Sequence, residues 1–354
     1  MKPVIFEYHQ TSHNKFISVI KLNSPGSLNA LTLEMVDLLQ EHLDSIRYNE
    51  DVVAVVLDSV IEKAFCAGGD VVSITQAVKK GDHQFAADFF SHEYKLDRDI
   101  HRFPKPVICI ANGIILGGGM GLMNGCSHRI VTDTTYMAMP EISIGLFPDV
   151  GGSWFLNQVP GNLGLFLGLT AAPMNAADAR YLGLADYTIS HELKATVIEN
   201  LCNADWHEPA HQVVSDILNS LETLSLDQCS HIQSKLKEYE TLLEEQLDHD
   251  SLVTIAQSIL ALPTEDRWLK KAQDNLKYGS PLSAFLIHQQ LLRTKNMSLE
   301  EVFKFEYNLV TACCKQGDFC EGVRALLIDK DRQPAWKYAD FTEVDPSYVE
   351  SFFE

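Results

Sequence analysis

Residues 52–57 read Val-Val-Ala-Val-Val-Leu, six apolar and mostly β-branched positions in a row. A run of this length and type is what a strand covered on both faces requires. Upstream, Phe16–Leu22 (FISVIKL) has the same character. Between the two, Ser24-Pro25-Gly26 marks a turn, and Leu33, Val36, Leu39, Leu43 and Ile46 recur at helical spacing. Thr32 stands where an N-cap belongs, with Glu34 in the first turn to complement the helix dipole. Strand, helix, strand implies a crossover and parallel pairing. Pro106–Ile110 and Arg129–Thr132 read as further buried strands, so the fold class expected is α/β with a largely parallel sheet.

Beyond Glu192 the texture changes. Leucines and polar residues alternate at helical spacing, as in 232–247 and 252–260, and β-branched runs become sparse. Residues 192 to about 325 are expected to be mostly helical, followed by the short apolar Val323–Ile328 and an irregular end. The expected organisation is a core over 1–191 and a mainly helical region over 192–354 packed on it. No internal repeat or low-complexity linker is visible.

The composition excludes several function classes. In 354 residues there are 48 acidic and 28 basic side chains, for a net charge of −20. That balance argues against nucleic acid and anionic membrane surfaces as partners, since both select positive faces. The most apolar stretch, Val107–Met123, is broken by Asn112 and several glycines, so no run of about 18 apolar residues is present. The start, MKPVIFEYHQ, has neither a secretory nor a transit-peptide pattern, and a cytoplasmic location is expected if the source is bacterial. Eight cysteines without a CxxC pair read as reduced thiols, with Cys313, Cys314 and Cys320 on helix faces.

Two motifs are decoys. His207-Glu208-Pro209-Ala210-His211 has the letters of a zinc-binding H-E-x-x-H, but that motif needs one continuous helix and Pro209 opposes it. No metal site is expected. Asn296-Met297-Ser298 is a glycosylation sequon by letters only.

The glycines carry more. Ala64–Asp70 reads AFCAGGD and Leu116–Gly121 reads LGGGMG, each between a strand-like and a helix-like segment. Neither is a P-loop and neither fits GxGxxG. Two such loops can each aim a backbone N–H at one developing oxyanion, as acyl chemistry demands; ordinary β–α turns are the plainer reading of either alone. Met139–Gly152 (MPEISIGLFPDVGG) places Glu141 and Asp149 among apolar residues. Desolvation there raises a carboxyl pKa and suits it to proton transfer or nucleophilic work; the alternative is a surface Glu141 and a helix-capping Asp149.

Taken in order, AFCAGGD, GIILGGGMG and MPEISIGLFPDVGGSWFL, preceded by SPGSLNALTLEM, resemble the crotonase (enoyl-CoA hydratase/isomerase) superfamily. FPDVGG, Phe89–Tyr94 (FFSHEY) and EGVRALLIDKDRQPAW resemble its thioester-hydrolase branch. The resemblance covers nearly the whole chain. It implies a spiral of ββα units with a helical C-terminal extension, an acyl-CoA substrate, and no cofactor beyond the coenzyme A of that substrate. It implies an oxyanion hole from the N–H groups of Ala67 and Gly118, and coenzyme A contacts from Ala64, Ala67 and Asp70. Glu141 and Asp149 match the acidic catalytic pair, and Glu93 matches a residue near the substrate hydroxyl, so Glu93, Gly118, Glu141 and Asp149 are the expected substrate-binding set. The reaction implied is hydrolysis of a short branched 3-hydroxyacyl-CoA, in valine breakdown, and a homo-oligomer is compatible with the family.

One departure bears on the reaction. Hydratases of the family carry a glutamate two residues after the glycine triplet, and here that position is Gly121. Isomerisation through a single carboxylate, and acyl-CoA binding without turnover, are the rival readings.

Overall fold

The computed structural model describes residues 2–354 apart from Glu208. The described chain divides into two units, one made of the residues up to Gly69, Lys95–Met137 and Met174–Lys235, the other of Asp70–Tyr94, Ala138–Pro173 and Leu236–Glu354. This differs from a division at 191/192. Helices Lys194–Asn203 and Ala210–Cys229 belong to the first unit, because their apolar stripes cover its sheet. Val197, Leu201, Val214 and Leu218 are buried in one cluster with Val56 and Ile108. Helical texture reports local periodicity and is silent on which layer the stripe covers.

In the first unit a six-stranded sheet runs in the order Val4–Gln10, Phe16–Leu22, Val52–Ser59, Val107–Ala111, His128–Val131 and Tyr187–Thr188. The first pair is antiparallel and the others are parallel. The expected buried strands are all present, and Thr32 caps the helix Leu33–Ile46 by accepting from the N–H of Met35 at 3.2 Å. A second sheet is ordered Ala64–Cys66, Ile114–Leu116, Tyr136–Ala138. Three times, therefore, a strand of the large sheet is followed by a strand of the small one, and the helices Val71–Lys79 and Gly118–Gly125 follow the first two pairs.

Asn29 ties the loops of this unit together. It is fully buried with φ of 59°, its Oδ1 accepts from the N–H of Ser24 at 2.7 Å, and its Nδ2 donates to Ser59 Oγ and to the carbonyl of Phe65. Asparagine tolerates the left-handed region and has a donor and an acceptor for this bridge.

The second unit is helical. Its central helices are Pro281–Thr294 and Leu299–Lys315. Ser298, the last letter of the sequon, is the N-cap of the latter in a reciprocal capping box with Glu301. The stretch Met139–Gly152 is folded as a 3-10 turn over Glu141–Ile144, closed by Gly145 at φ of 71°. A Cβ on Gly145 would lie 2.4 Å from the backbone of Asp318, so both conformation and space demand glycine.

Candidate active site

In the second unit three elements deliver carboxyl groups to one buried region. The helix His83–His101 supplies Glu93, the 3-10 turn supplies Glu141, and the following loop supplies Asp149. Their exposures are 2%, 4% and 5%. Surface carboxylates are seldom this deep unless they are paired, and none of these three carries an ion pair among the described residues.

The three are electrostatically coupled. Burial pushes the Glu141 carboxyl well above the usual range, and the charge of Asp149 and then Glu93 push it further. Burial and the Asp149 charge do the same to Glu93. Asp149 rises only to about 6: burial raises it, while the phenol of Tyr94 holds it down by donating to Oδ2 at 2.6 Å. The first negative charge of the cluster therefore settles on Asp149, the carboxylate with a donor, and burial and that charge push Glu93 and Glu141 toward their protonated forms. Glu93 Oε1 and Glu141 Oε2 are buried and have no hydrogen-bond partner among the described residues. Buried polar atoms are rarely left so, and substrate groups are their natural partners.

The helix-cap reading of Asp149 fails on geometry. The following helix, Gly152–Leu156, is capped at Gly151 without a side-chain bond, and the Asp149 carboxylate goes to Tyr94. The surface reading of Glu141 fails on burial.

In the first unit the residues of the two glycine loops differ in what their backbone groups leave free. Gly118 is the first residue of the buried helix Gly118–Gly125, where an N–H has no intrahelical acceptor. The two loops approach closely, for a Cβ on Gly68, whose φ is 109°, would lie 3.4 Å from the carbonyl oxygen of Leu116 and 4.0 Å from the nitrogen of Gly118. The N–H of Ala67, however, is donated to the carbonyl of Leu28 at 3.0 Å and is not available to a ligand. Two residues on, Gly69 has no acceptor for its N–H among the described residues. Ala64 is also withdrawn from any ligand: it is fully buried, its N–H reaches Ile61 and its carbonyl accepts from Ser59 Oγ at 2.7 Å. Ala67 is taken up by a segment 39 positions earlier, whereas the partners of Ala64 lie within five residues of it.

Asp70, in the second unit, caps the helix Val71–Lys79, accepting from Ser73 N–H at 3.1 Å and Ser73 Oγ at 2.6 Å. This structural duty accounts for the acid at the end of AFCAGGD. The H-E-x-x-H letters fall partly on Glu208, outside the described residues. His207 lies before the helix that begins at Ala210 and pairs with exposed Asp205 at 3.5 Å, while His211 stacks on His128.

Two residues of the site had no role assigned from sequence. Tyr94 stood in the FFSHEY stretch without a function. Glu306 went unnoticed, yet its helix carries the signal: Val302, Phe303, Leu309, Val310 and Cys313 form the buried stripe, and Glu306 sits in the middle of it. Glu306 is fully buried, and burial pushes its carboxyl up to about 8 against two backbone hydrogen bonds that hold it down.

Comparison with known proteins agrees with this architecture. The family model described as enoyl-CoA hydratase/isomerase matches residues 17–353. The mitochondrial 3-hydroxyisobutyryl-CoA hydrolase of Xenopus tropicalis is 36% identical over 340 residues, 95% of this chain and 86% of that protein. The human protein of that name is 33% identical over 347 residues, with the same coverage. The crystal structure of an enoyl-CoA hydratase from Rhodobacter sphaeroides 2.4.1 superposes with a TM-score of 0.87 at 31% identity, covering 99% of this chain and 97% of that one. A carnitinyl-CoA dehydratase from Mycobacterium thermoresistibile gives the same TM-score at 32% identity, covering 100% and 97%. With its paired sheets, its glycine loops and its buried carboxyl cluster, the chain belongs to the enoyl-CoA hydratase/isomerase family.

Proposed function

We propose that this protein is an acyl-CoA thioester hydrolase acting on short branched 3-hydroxyacyl-CoA, with 3-hydroxyisobutyryl-CoA as the preferred substrate, a step in valine breakdown. The observation that carries the reading is the 36% identity over 95% of the chain to a 3-hydroxyisobutyryl-CoA hydrolase. The buried carboxyl cluster supplies chemistry that fits it.

Thioester hydrolysis needs a polarised carbonyl and an activated oxygen nucleophile. The glycine loops offer N–H donors for the carbonyl oxygen, from Gly118 and, in place of Ala67, from Gly69. The carboxyl cluster offers the acid–base set. In the direct route Asp149 takes a proton from water, the water oxygen adds to the thioester carbon, and collapse of the tetrahedral anion breaks the C–S bond. Protonated Glu141 then supplies the proton that the CoA thiolate needs. In the covalent route Glu141 first passes its proton to Asp149 and attacks the carbon itself; the C–S bond breaks, Asp149 hands the proton to the departing CoA thiolate, and water, giving up a proton to Asp149, opens the resulting mixed anhydride and frees Glu141. Glu93, neutral and with a free oxygen, accepts or donates a hydrogen bond at the 3-hydroxyl. The test is free-thiol release from a panel of acyl-CoA esters: turnover confined to 3-hydroxy substrates supports the reading, and binding without turnover refutes it.

The pH profile follows from the Tyr94 bond. Asp149 acts ionised, so kcat/KM should fall as pH drops through about 6. The Tyr94 hydrogen bond lowers that pKa, so Tyr94→Phe should move the acid limb to higher pH, with a larger loss at pH 6 than at pH 8. A limb that stays in place would show that Asp149 titration does not govern the rate.

A second reading has support of its own, since two solved structures at 31% and 32% identity are a hydratase and a dehydratase. Gly121 argues against it. Adding water across a conjugated double bond takes one group to activate water and another to protonate the α-carbon, and Gly121 has no side chain for either. Crotonyl-CoA should keep its enoyl absorbance in the presence of the protein. Rapid loss of that absorbance without thiol release would restore the hydratase reading.

A further inference from the structure

Glu306 lies 155 residues beyond Gly151 in sequence, yet its two carboxylate oxygens are both spent on the loop that carries Asp149. Oε2 accepts from the N–H of Gly151 at 2.7 Å and Oε1 from the N–H of Ser153 at 2.8 Å. The loop needs holding. Val150, a β-branched residue, has φ of 53°, followed by Gly151 at 83°. A β-branched residue in this region is strained and persists only where surrounding structure over-determines it. The turn is closed from within by a single bond, Gly152 N–H to Asp149 carbonyl at 2.7 Å. Gln290 grips the other side, its Nε2 donating to the carbonyl of Pro148 at 2.5 Å and to Ser153 Oγ at 2.6 Å.

We infer that Glu306 is the positioning residue of the site: it clamps the left-handed Val150–Gly151 turn through two backbone N–H groups and so fixes the direction in which the Asp149 carboxylate points. The inference rests on the hydrolase reading for its catalytic consequence, while the clamp itself stands on geometry. Glu306 is fully buried with both oxygens occupied, so it touches no substrate and acts through the loop. Two convergent N–H donors require two acceptors, which a carboxylate provides and an amide does not. A glutamine there would present its NH2 to one of the two N–H groups. Burial and the Asp149 charge push the Glu306 carboxyl up to about 8, while the two N–H bonds from the loop hold it down.

The experiment compares wild type with Glu306→Gln and Glu306→Asp by two measurements. The first is amide hydrogen exchange. In Glu306→Gln the amides of Gly151 and Ser153 should exchange about tenfold faster or more, with those inside Pro281–Thr294 and Leu299–Lys315 unchanged. The second is hydrolysis of 3-hydroxyisobutyryl-CoA, where kcat should drop about 10²-fold with KM held within about threefold, since displacement of a catalytic group by about 1 Å has that effect. Glu306→Asp keeps two acceptors and should recover part of kcat, and it stands in for Glu306→Gln should that variant not fold. Unchanged exchange at Gly151 and Ser153 overturns the clamp. A folded variant with wild-type kcat, or a loss shared between kcat and KM with exchange raised throughout the unit, overturns the positioning role. If wild type hydrolyses no thioester, the hydrolase reading fails separately, and exchange at the two amides alone decides whether Glu306 holds the turn.

Discussion

Asp149→Asn will remove most thioester hydrolysis, by about 10² to 10⁴ in kcat, while leaving affinity for coenzyme A within about threefold. Asp149 carries the first charge of a cluster of three buried carboxyls, because it alone of them accepts the Tyr94 phenol. Asparagine keeps the shape and still accepts that phenol through its amide oxygen, so the loop has little reason to move. What it loses is the capacity to take a proton, from water in the direct route or from Glu141 in the covalent one. Thiol release measures the first effect and calorimetric titration with coenzyme A the second. The same variant carries a stability signature of opposite sign. A carboxyl raised from 3.8 to about 6 on folding contributes stability that is fully present below its unfolded pKa and is lost as pH rises through about 6. Asparagine does not titrate, so the melting temperature of Asp149→Asn relative to wild type should climb between pH 4 and pH 8. Wild-type turnover in a folded Asp149→Asn protein would remove Asp149 from the chemistry.

Glu141→Gln carries the second large effect, a loss of at least about 10²-fold, and more if Glu141 forms the anhydride. Burial and the adjacent Asp149 charge push the Glu141 carboxyl up and favour its protonated form, which suits a proton donor to the departing thiolate. For Glu141 to attack, its proton has to move to Asp149 first. Water enriched in heavy oxygen separates these routes in a single turnover with excess enzyme. Direct attack always puts the label in the product acid. Anhydride opening at the Glu141 carbon leaves the first product unlabelled, because its new oxygen comes from the enzyme. Unlabelled product would exclude the direct route, and wild-type kcat in Glu141→Gln would exclude Glu141 from both.

Particular residues show where reading the chain succeeds. The strand at Val52–Ser59 and the helix from Leu33 with its Thr32 cap follow from apolar periodicity and a local hydrogen bond. Both depend on neighbours a few positions away. The Glu141–Asp149 pair was legible because carboxyls stand out in an apolar segment, and the structure buries both. Ala67 shows the opposite. The family resemblance implies a free N–H there, and a bond to Leu28, 39 positions earlier, uses it.

By itself, then, the sequence determined the alternation of strands and helices, the family, the carboxyl pair and the missing side chain at Gly121, since each is written in local pattern or composition. Tertiary structure alone decided which carboxyl holds the charge, which N–H groups stay free, and that Glu306 reaches back to the Asp149 loop. Hydrogen bonds and desolvation in these places arise between residues brought together only when apolar faces are buried, and no spacing along the chain encodes their distances.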